Sequence, residues 1–400
     1  MVVVQINLSC LWGSTGKICD SVSTLLTERG VENYIFYTYG NNPGNCLNYI
    51  KYASFAYIKF QALKSRVFGN YGFNSVYATK RLIKKLDNIK PNIVHIHNIH
   101  SHDCDFEMLF NYLKENNIKV FYTFHDCWAF TGYCPHFTMA KCDNWKNGCG
   151  KCVLRKNYSW FFDKSAKNYD RKRNSLLGLD MTIITPSKWL AGLVKQSFLE
   201  EYPVKVINNG IDLSVFKPTY GSFGQKHKLD NKKVILGVSY GWSANKGLDV
   251  FIELAKRLDD EYCIVMVGTD DITDKQLPKN IISIHRTHNQ QELAEIYTCA
   301  DVFVNTTREE NYPTVNMESI ACGTPVLTFR TGGSPEMIDD TCGSVVECDN
   351  IDALEEEIIR ICMEKPFSKE QCIKKAQEFS KDKRFKEYLN LYDRIVGDRE

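Results

Sequence analysis

Short apolar runs alternate with amphipathic stretches along the whole 400-residue chain. Each run is rich in Val, Ile and Phe, is nearly continuous, and is followed by a polar or glycine-containing turn. Such runs are typical of parallel strands whose two faces are both covered by helices. The predicted strands are residues 2–7, 33–38, 92–97, 119–124, 181–185, 233–238, 262–267, 281–285, 302–305 and 324–328.

These runs fall into two groups of five, which predicts an α/β protein with two Rossmann-like, doubly wound domains in series. A chain of this length accommodates two domains of the usual size. We place an N-terminal domain at 1–200 and a C-terminal domain at 201–383, and predict that a last helix, 384–400, packs back on the first. Since such folds bind ligands at the carboxyl ends of their strands, two facing domains predict a cleft between them.

Composition excludes several classes of protein. Hydrophobic residues at 44% and charged residues at 24% do not fit a disordered chain, and no window has the apolar length of a membrane-spanning helix. The first residues, MVVVQINLSC, have the character of a strand rather than of a signal peptide. The 16 cysteines are scattered, which is typical of reduced thiols. We therefore expect a cytoplasmic protein, with the inner face of the membrane as an alternative location.

The net charge of +2 conceals two unlike halves. Residues 1–200 carry 25 Lys and Arg against 14 Asp and Glu, whereas residues 201–400 carry 25 against 34. A basic first half suits an anionic surface or substrate, but it lacks the organised stacking aromatics of a nucleic-acid-binding module. A helix over 52–67 would group Phe55, Tyr57, Phe60 and Leu63 on one face, which could rest on an anionic membrane or pack into a core.

The most informative segment is 301–336, DVFVNTTREENYPTVNMESIACGTPVLTFRTGGSPE. A strand ends at Asn305, Glu310 follows on a loop, Pro313 can open a helix, and Glu318 lies inside that helix. The helix start is suited to a phosphate, and the two carboxylates can accept hydrogen bonds from hydroxyls. A sugar linked to a nucleoside diphosphate offers both kinds of partner. The amides concerned are those of Thr314, Val315 and Asn316.

The motif ENYPTVNMESIACGTPV, followed by TGGSP at 331–335, resembles the E-x7-E element of retaining GT-B glycosyltransferases of family four. The resemblance covers nearly the whole chain. It implies two Rossmann-like domains with the active site in their cleft, a nucleoside diphosphate sugar as donor, and no metal or other cofactor. It also implies transfer of the sugar, with retention of configuration, to a hydroxyl of a glycan or lipid-linked acceptor in polysaccharide biosynthesis.

Carried over by position, the resemblance assigns Glu318 to the donor ribose and Glu310 to the donor sugar and the developing charge. His125, after a strand, would hydrogen-bond the donor sugar, and Gly16 in the first loop would lie against the donor phosphate. The family's basic clamp is matched by Lys246, whereas the arginine that the family commonly has near position 239 is missing. The remaining donor-binding positions are Asn311, Tyr312, Thr314 and Val315.

Two alternatives remain at this stage. An NAD-dependent oxidoreductase could use the same fold type, but the loop LWGSTGK at 11–17 has neither the glycine fingerprint of a dinucleotide site nor the spacing of a P-loop. A non-catalytic binding module could use the cysteine-rich stretch around residue 149 as an anchor. Four cysteines there could hold structural zinc or stay free or redox-active thiols: Cys134, Cys142, Cys149 and Cys152.

The histidine run HIHNIHSHD brings His95 and His97 onto one face of a strand. No cysteine or carboxylate spacing beside these two histidines resembles a zinc site. We therefore predict no metal site from this run.

Overall fold

The computed structural model describes residues 1–40, 48–100 and 102–397, with side chains as far as residue 393. The chain divides into two compact units, Met1–Asn208 together with the segment from Arg384 onward, and Asn209–Lys383. The division falls at Asn208 rather than at 200, because Asn208 is still tied to the first unit by an Nδ2 hydrogen bond to the carbonyl of Pro186, at 2.8 Å.

The first unit is built on a seven-stranded parallel sheet in the order β3-β2-β1-β4-β5-β6-β7. Five of its strands match predicted runs to within one residue at each end, and the two edge strands, β3 and β7, were not predicted. They have only three residues each, too few to show a hydrophobic pattern. The strands are β1 Val2–Ile6, β2 Glu32–Tyr37, β3 Tyr49–Lys51, β4 Ile93–Ile96, β5 Lys119–Thr123, β6 Met181–Thr185 and β7 Val204–Val206.

Helices cover both faces of this sheet, as its continuous apolar strands require. Helix α2 begins at Phe55 because the Ser54 hydroxyl accepts the amide of Tyr57, and it ends where Gly69 adopts a left-handed conformation. The helices before the second unit are α1 Gly13–Glu28, α2 Phe55–Phe68, α3 Val76–Ile89, α4 Phe106–Glu115, α5 Arg155–Tyr158, α6 Ser165–Leu176 and α7 Lys188–Val194.

The second unit has a six-stranded parallel sheet in the order β10-β9-β8-β11-β12-β13. Its five predicted strands are present, and the edge strand β13 was not predicted. Its strands are β8 Lys233–Val238, β9 Tyr262–Val267, β10 Ile281–Ile284, β11 Val302–Asn305, β12 Val326–Phe329 and β13 Gly343–Val346. Its helices are α8 Phe223–Lys226, α9 Leu248–Arg257, α10 Asp271–Asp274, α11 Gln290–Cys299, α12 Thr314–Ala321, α13 Ile351–Glu364 and α14 Lys369–Ala376.

The last helix, α15 Lys381–Gly397, returns to the first unit. Its buried side chains pack on Val3, Ile93 and Phe121 of the first sheet and on Ile18 and Val22 of helix α1. Within the described part of the chain, every helix is too short or too polar to traverse a bilayer. The side chains contributed by α15 are Phe385, Tyr388, Leu389 and Tyr392.

Candidate active site

Three loops of the second unit converge at one edge of its sheet. Strands β8, β11 and β12 are neighbours and run parallel, so the segments that follow them emerge side by side. Lys246 lies in the loop after β8, Glu310 follows β11, and the TGGSP segment follows β12. The sequence therefore predicted side chains that the topology brings together.

Lys246 and Glu310 form an ion pair with 3.1 Å between Nζ and Oε2. The other carboxylate oxygen of Glu310 accepts the backbone amide of Asn311 at 3.0 Å. Both side chains keep access to solvent, 34% for Lys246 and 23% for Glu310. Lys246, predicted to contact the diphosphate, is thus paired with Glu310, predicted to contact the sugar.

The segment after β12 contacts the backbone of the loop that carries Glu310. The amide of Gly333 donates to the carbonyl of Asn311 at 2.8 Å, and the hydroxyl of Thr331 donates to the carbonyl of Thr307 at 2.7 Å. Gly332 has φ of 55° and presses on the carbonyl of Glu310, where any Cβ would overlap that oxygen. This contact gives Gly332, the first glycine of TGGSP, a positional role.

Helix α12 presents its amino end at the same edge. Pro313 immediately precedes the helix, its side chain provides no capping hydrogen bond, and the first turn has no acidic residue. The amides of Thr314 and Val315, both half-buried residues, therefore face outward with the positive end of the helix dipole. An anionic group is the natural partner for this end of the helix.

A buried polar network beneath the site fixes helix α12 to the strands. Asn305 donates to the side-chain oxygen of Asn316 at 2.8 Å, and Asn316 donates to the Ser334 hydroxyl at 2.9 Å. The Ser334 hydroxyl also lies 2.8 Å from that of Thr328. Sequence reasoning missed these positioning residues, although polar residues at the ends of two apolar strands were a usable signal.

Glu318 is half-buried within helix α12, just over one turn from its start. Its Oε2 accepts the Tyr297 hydroxyl at 3.3 Å. Burial and the neighbouring Glu318 carboxylate raise the pKa of Tyr297 well above its ordinary value, so the phenol stays a donor. The side chains of Asn311 and Tyr312 are buried, and the carbonyl of Tyr312 accepts the side-chain amide of Asn209 at 3.1 Å.

Arg308 is a further residue that the sequence analysis did not single out. Its guanidinium donates to both carboxylate oxygens of Asp249, at 2.8 and 2.7 Å, to Asp349 at 2.7 Å, and to the carbonyl of Ala244. Its backbone amide donates to the carbonyl of Asn245 at 2.9 Å. Arg308 thus stabilises the loop that carries Lys246, and the carboxylates of Asp249 and Asp349 neutralise its charge.

Gly16 lies in the first unit, in helix α1 after the β1 loop. A Cβ at this position would come within 3.1 to 3.3 Å of Ser9 and the amide of Leu11, so the helix and the loop approach too closely for a larger residue without adjustment. The close packing explains a glycine here independently of any ligand.

His125 follows β5 at the carboxyl edge of the first sheet, 3.3 Å from His97 between ring nitrogens. Burial lowers the pKa of His125 to about 4 and that of His97 well below its ordinary value, so both rings are neutral at pH 7. Gln5 anchors its amide group to the carbonyl of Cys19 and presents its oxygen to His97 Nε2 at 3.3 Å. His97 Nε2 therefore donates to Gln5, and His97 Nδ1 accepts a hydrogen bond from His125 Nε2. In that neutral tautomer, Nδ1 of His125 carries no proton.

Two family models match the chain in succession. One described as Glycosyltransferase Family 4 matches residues 17–215, and one described as Glycosyl transferases group 1 matches residues 222–379. The chain belongs to glycosyltransferase family 4. It is a retaining-type glycosyltransferase of the GT-B fold class, and the motif with Glu310 and Glu318 falls in the second matched region.

Curated relatives agree with this assignment. The chain is 23% identical over 385 residues to an Escherichia coli (strain K12) protein assigned to colanic acid biosynthesis as a glycosyl transferase, with 90% of this chain and 89% of that protein covered. It is 25% identical to the N,N'-diacetylbacillosaminyl-diphospho-undecaprenol alpha-1,3-N-acetylgalactosaminyltransferase of Campylobacter jejuni, over half of this chain and 56% of that one.

Solved structures share the fold of this glycosyltransferase. The Anabaena protein Alr3699/HepE, solved in complex with UDP, matches with a TM-score of 0.70 at 13% identity, covering 98% of this chain and all of that one. A sucrose-phosphate synthase from Thermosynechococcus elongatus matches equally well, with 99% of each chain covered. The oxidoreductase alternative is therefore not favoured.

The cysteine-rich stretch of the glycosyltransferase does not form a metal-binding group. Within the described residues no three His, Cys, Asp or Glu side chains are arranged to hold a metal ion, which includes the histidine run. Its cysteines Cys134, Cys142, Cys149 and Cys152 are free thiols. Burial raises the pKa of Cys134 to about 12 and of Cys149 to about 11, and Cys149 Sγ accepts the amide of Gly132 at 3.2 Å. The two thiols are therefore protonated at neutral pH and unreactive as nucleophiles.

Proposed function

We propose that the second unit binds a nucleoside diphosphate sugar at the edge formed by β8, β11 and β12. The observation that carries the proposal is the Lys246–Glu310 pair beside the uncapped amino end of helix α12. The diphosphate would take Lys246 and the helix amides, the ribose hydroxyls would donate to Glu318, and sugar hydroxyls would donate to Glu310. Thr314 and Val315 would bind through their amides, and Asn311 and Tyr312 through backbone groups.

Donor binding would exchange partners within the ion pair. The diphosphate replaces Glu310 as the anion beside Lys246, and the released Glu310 turns to the sugar. Both residues are partly exposed, so their mutual attraction is screened and worth at most about 1 kcal/mol. A diphosphate also interacts with the positive end of helix α12, so it can displace Glu310 from Lys246.

The proposed transfer breaks the bond between the anomeric carbon and the phosphate oxygen, and its electron pair leaves with the diphosphate. The acceptor hydroxyl oxygen attacks the same face of that carbon and passes its proton to the departing phosphate oxygen, so configuration is retained. Lys246 and the α12 amides stabilise the charge that develops on the leaving group. Because these groups supply positive charge, we propose that no metal ion is required.

The acceptor is proposed to be a glycan or lipid-linked hydroxyl in polysaccharide assembly, handled in the cytoplasm at the membrane face. The basic first half of the chain supports an anionic acceptor region, and the Campylobacter relative is named for a diphospho-undecaprenol acceptor. Gly16 and His125 of the first unit stay predicted donor contacts.

The substitution Glu310→Gln tests the proposal. We expect kcat to fall by about two to three orders of magnitude, since one electrostatic partner of the transition state is lost. Binding of UDP or another nucleoside diphosphate should be as tight as in the unmodified protein or tighter, because Lys246 loses its competing carboxylate. Donor turnover and calorimetric titration of the nucleotide measure the two quantities separately.

Glu309→Gln is the matched control, because it makes the same change of charge one residue earlier. It should leave kcat within a few-fold of the unmodified value. Near-normal turnover in Glu310→Gln would contradict the assigned role. Failure of the unmodified protein to turn over any nucleotide sugar would favour a binding module, and consumption of NADH would favour an oxidoreductase.

A further inference from the structure

Three consecutive aromatic side chains of the first unit are exposed in the loop between α5 and α6. Trp160, Phe161 and Phe162 show 53%, 64% and 51% of their surface, and Phe68 at the end of α2 shows 47%. Exposed aromatic groups of this size cost free energy in water, and a contiguous set marks a contact surface. We call these four residues the aromatic patch.

The aromatic patch is continuous because its loop is fixed to the end of helix α2. The Trp160 amide donates to the carbonyl of Arg66 at 2.7 Å, and the Arg66 guanidinium donates to the carbonyl of Asn157. Arg155 donates to the carbonyl of Phe161 at 2.9 Å. One main-chain hydrogen bond and two from arginine side chains to carbonyls thus hold the loop in place with its three rings exposed.

Helix α2 extends this surface with an outward face of the same character. Phe55, Phe60 and Leu63 are exposed, while the residues that face the protein interior are Ile58, Gln61 and Ser65. The interpretation of α2 as a helix whose aromatic face packs into a core is therefore wrong. Lys59 and Lys64 lie over the rings of Phe55 and Phe60, with Nζ 4.6 and 6.0 Å from the centroids.

The charged residues in the segments that form the aromatic patch are mainly basic. Residues 55–68 and 155–167 contain seven Lys and Arg and a single acidic residue, Asp163. The Asp163 carboxylate accepts the amides of Cys152 and Ser165, at 2.7 and 2.9 Å. Lys164 lies over the ring of Phe162, at 5.8 Å, and Lys156 and Lys167 are exposed. Cations therefore surround the exposed rings.

Exposed Trp and Phe rings encircled by Lys and Arg match the interface of an anionic bilayer, where rings enter the headgroup region and cations meet lipid phosphates. We propose that the first unit docks on anionic lipid through α2 and the aromatic patch, with Trp160, Phe161 and Phe162 as the inserted anchor. The inference rests on the proposed function in one respect, because it would bring the enzyme to a lipid-linked acceptor.

The test is co-sedimentation of the full-length protein with vesicles of phosphatidylcholine containing 30 mol% phosphatidylglycerol (roughly the anionic content that attracts basic surfaces). We expect binding at least about tenfold tighter than to phosphatidylcholine alone, weakened by high salt. Replacing Trp160, Phe161 and Phe162 together by Ser should reduce binding to anionic vesicles by about tenfold or more. Lys156→Glu with Lys167→Glu should do the same.

A matched control replaces three exposed apolar residues of the second unit by Ser. Tyr220, Ile272 and Met363 are exposed by 78%, 70% and 59%. These substitutions should leave vesicle binding unchanged. Because the replaced aromatic side chains are exposed, the triple variant should fold, and its UDP binding and donor hydrolysis in vesicle-free buffer should equal those of the unmodified protein.

Three results would overturn the proposal: no binding of the unmodified protein to anionic vesicles, equal binding to neutral vesicles, or undiminished binding of the triple variant. A dimer that the triple variant abolishes, without any lipid binding, would assign the patch to a second copy of the chain instead. Donor hydrolysis in buffer separates the two proposals, since it depends on Lys246 and Glu310 and not on the aromatic patch.

Discussion

The ion pair between Lys246 and Glu310 joins two groups that a donor would also engage. At the scale of single residues, this means that Lys246 and Glu310 neutralise each other's charge. A buried pair would resist exchange, because separation would leave an unpaired charge in a low dielectric. The partial exposure of both residues avoids that cost and makes the pair a replaceable contact.

The neutral histidines of the first unit predict a dependence of stability on pH. Burial lowers the pKa of His95 to about 3 and that of His125 to about 4, below the value of about 6.5 in an unfolded chain. The unfolded state therefore binds more protons as pH falls below about 6.5. The stabilisation is complete above that pH and is lost progressively toward pH 4, by up to about 1.4 kcal/mol per pH unit for each histidine.

Removing His95 should reduce this dependence. In His95→Gln we expect lower stability at pH 7, because hydrogen bonds to Tyr392 and Thr123 are altered, but a shallower fall between pH 6.5 and 4.5. Urea unfolding at several pH values, followed by tryptophan fluorescence, measures the slope. An unaltered slope in His95→Gln would contradict the assignment.

At the scale of elements, the site depends on how closely the β12 loop approaches the β11 loop. Gly332 is required there because its φ is positive and its Cα lies against the carbonyl of Glu310. In Gly332→Ala we expect the Glu310 segment to be displaced, with kcat reduced about a hundredfold, since a shift of about 1 Å in a positioned group has that effect. Steady-state donor turnover measures the change.

The control for this substitution is Gly192→Ala, since a Cβ there meets nothing within 4 Å and its φ is not positive. It should preserve both turnover and folding. If Gly332→Ala also had normal turnover, the loop contact would not position Glu310. A circular dichroism spectrum of each variant separates a local displacement from unfolding.

The strands of both sheets could be predicted largely from hydrophobic pattern. Long central strands are buried on both faces, so their apolar runs are continuous and their bounds match to within one or two residues. The edge strands β3, β7 and β13 were missed because they are short and partly exposed. Strand β12 begins two residues later than predicted, because the amide of Thr324 donates to the carbonyl of Ser319 and Pro325 has no amide hydrogen for the sheet.

At the scale of the whole molecule, the C-terminal helix α15 belongs to the first unit, although the whole second unit precedes it in the sequence. Leu389 of α15 is buried among residues of the first sheet and of helix α1. Leu389→Ala should lower the stability of the first unit by about 2–5 kcal/mol, the usual cost of such a truncation in a core. Five of the six tryptophans lie before residue 209, so fluorescence reports mainly on that unit.

Nucleotide binding should be unaffected in Leu389→Ala at temperatures where the first unit remains folded, because the proposed donor contacts lie in the second unit. The exposed neighbour Asn390→Ala should change neither property. Loss of UDP affinity in Leu389→Ala, measured by calorimetry at low temperature, would contradict the independence of the donor contacts from this helix.

The sequence by itself determined the alternation of buried strands and helices and the two-unit α/β class, because these are local properties of pattern and spacing. Glu310, Lys246 and Glu318 were named as donor contacts from the resemblance of their motifs to the family, and that role stays a prediction. Only the tertiary structure decided which groups meet: the Lys246–Glu310 pair, the brace from Arg308, and the exposed ring set at Trp160. Such contacts join residues far apart in the chain, and the parallel sheets bring them together only after folding.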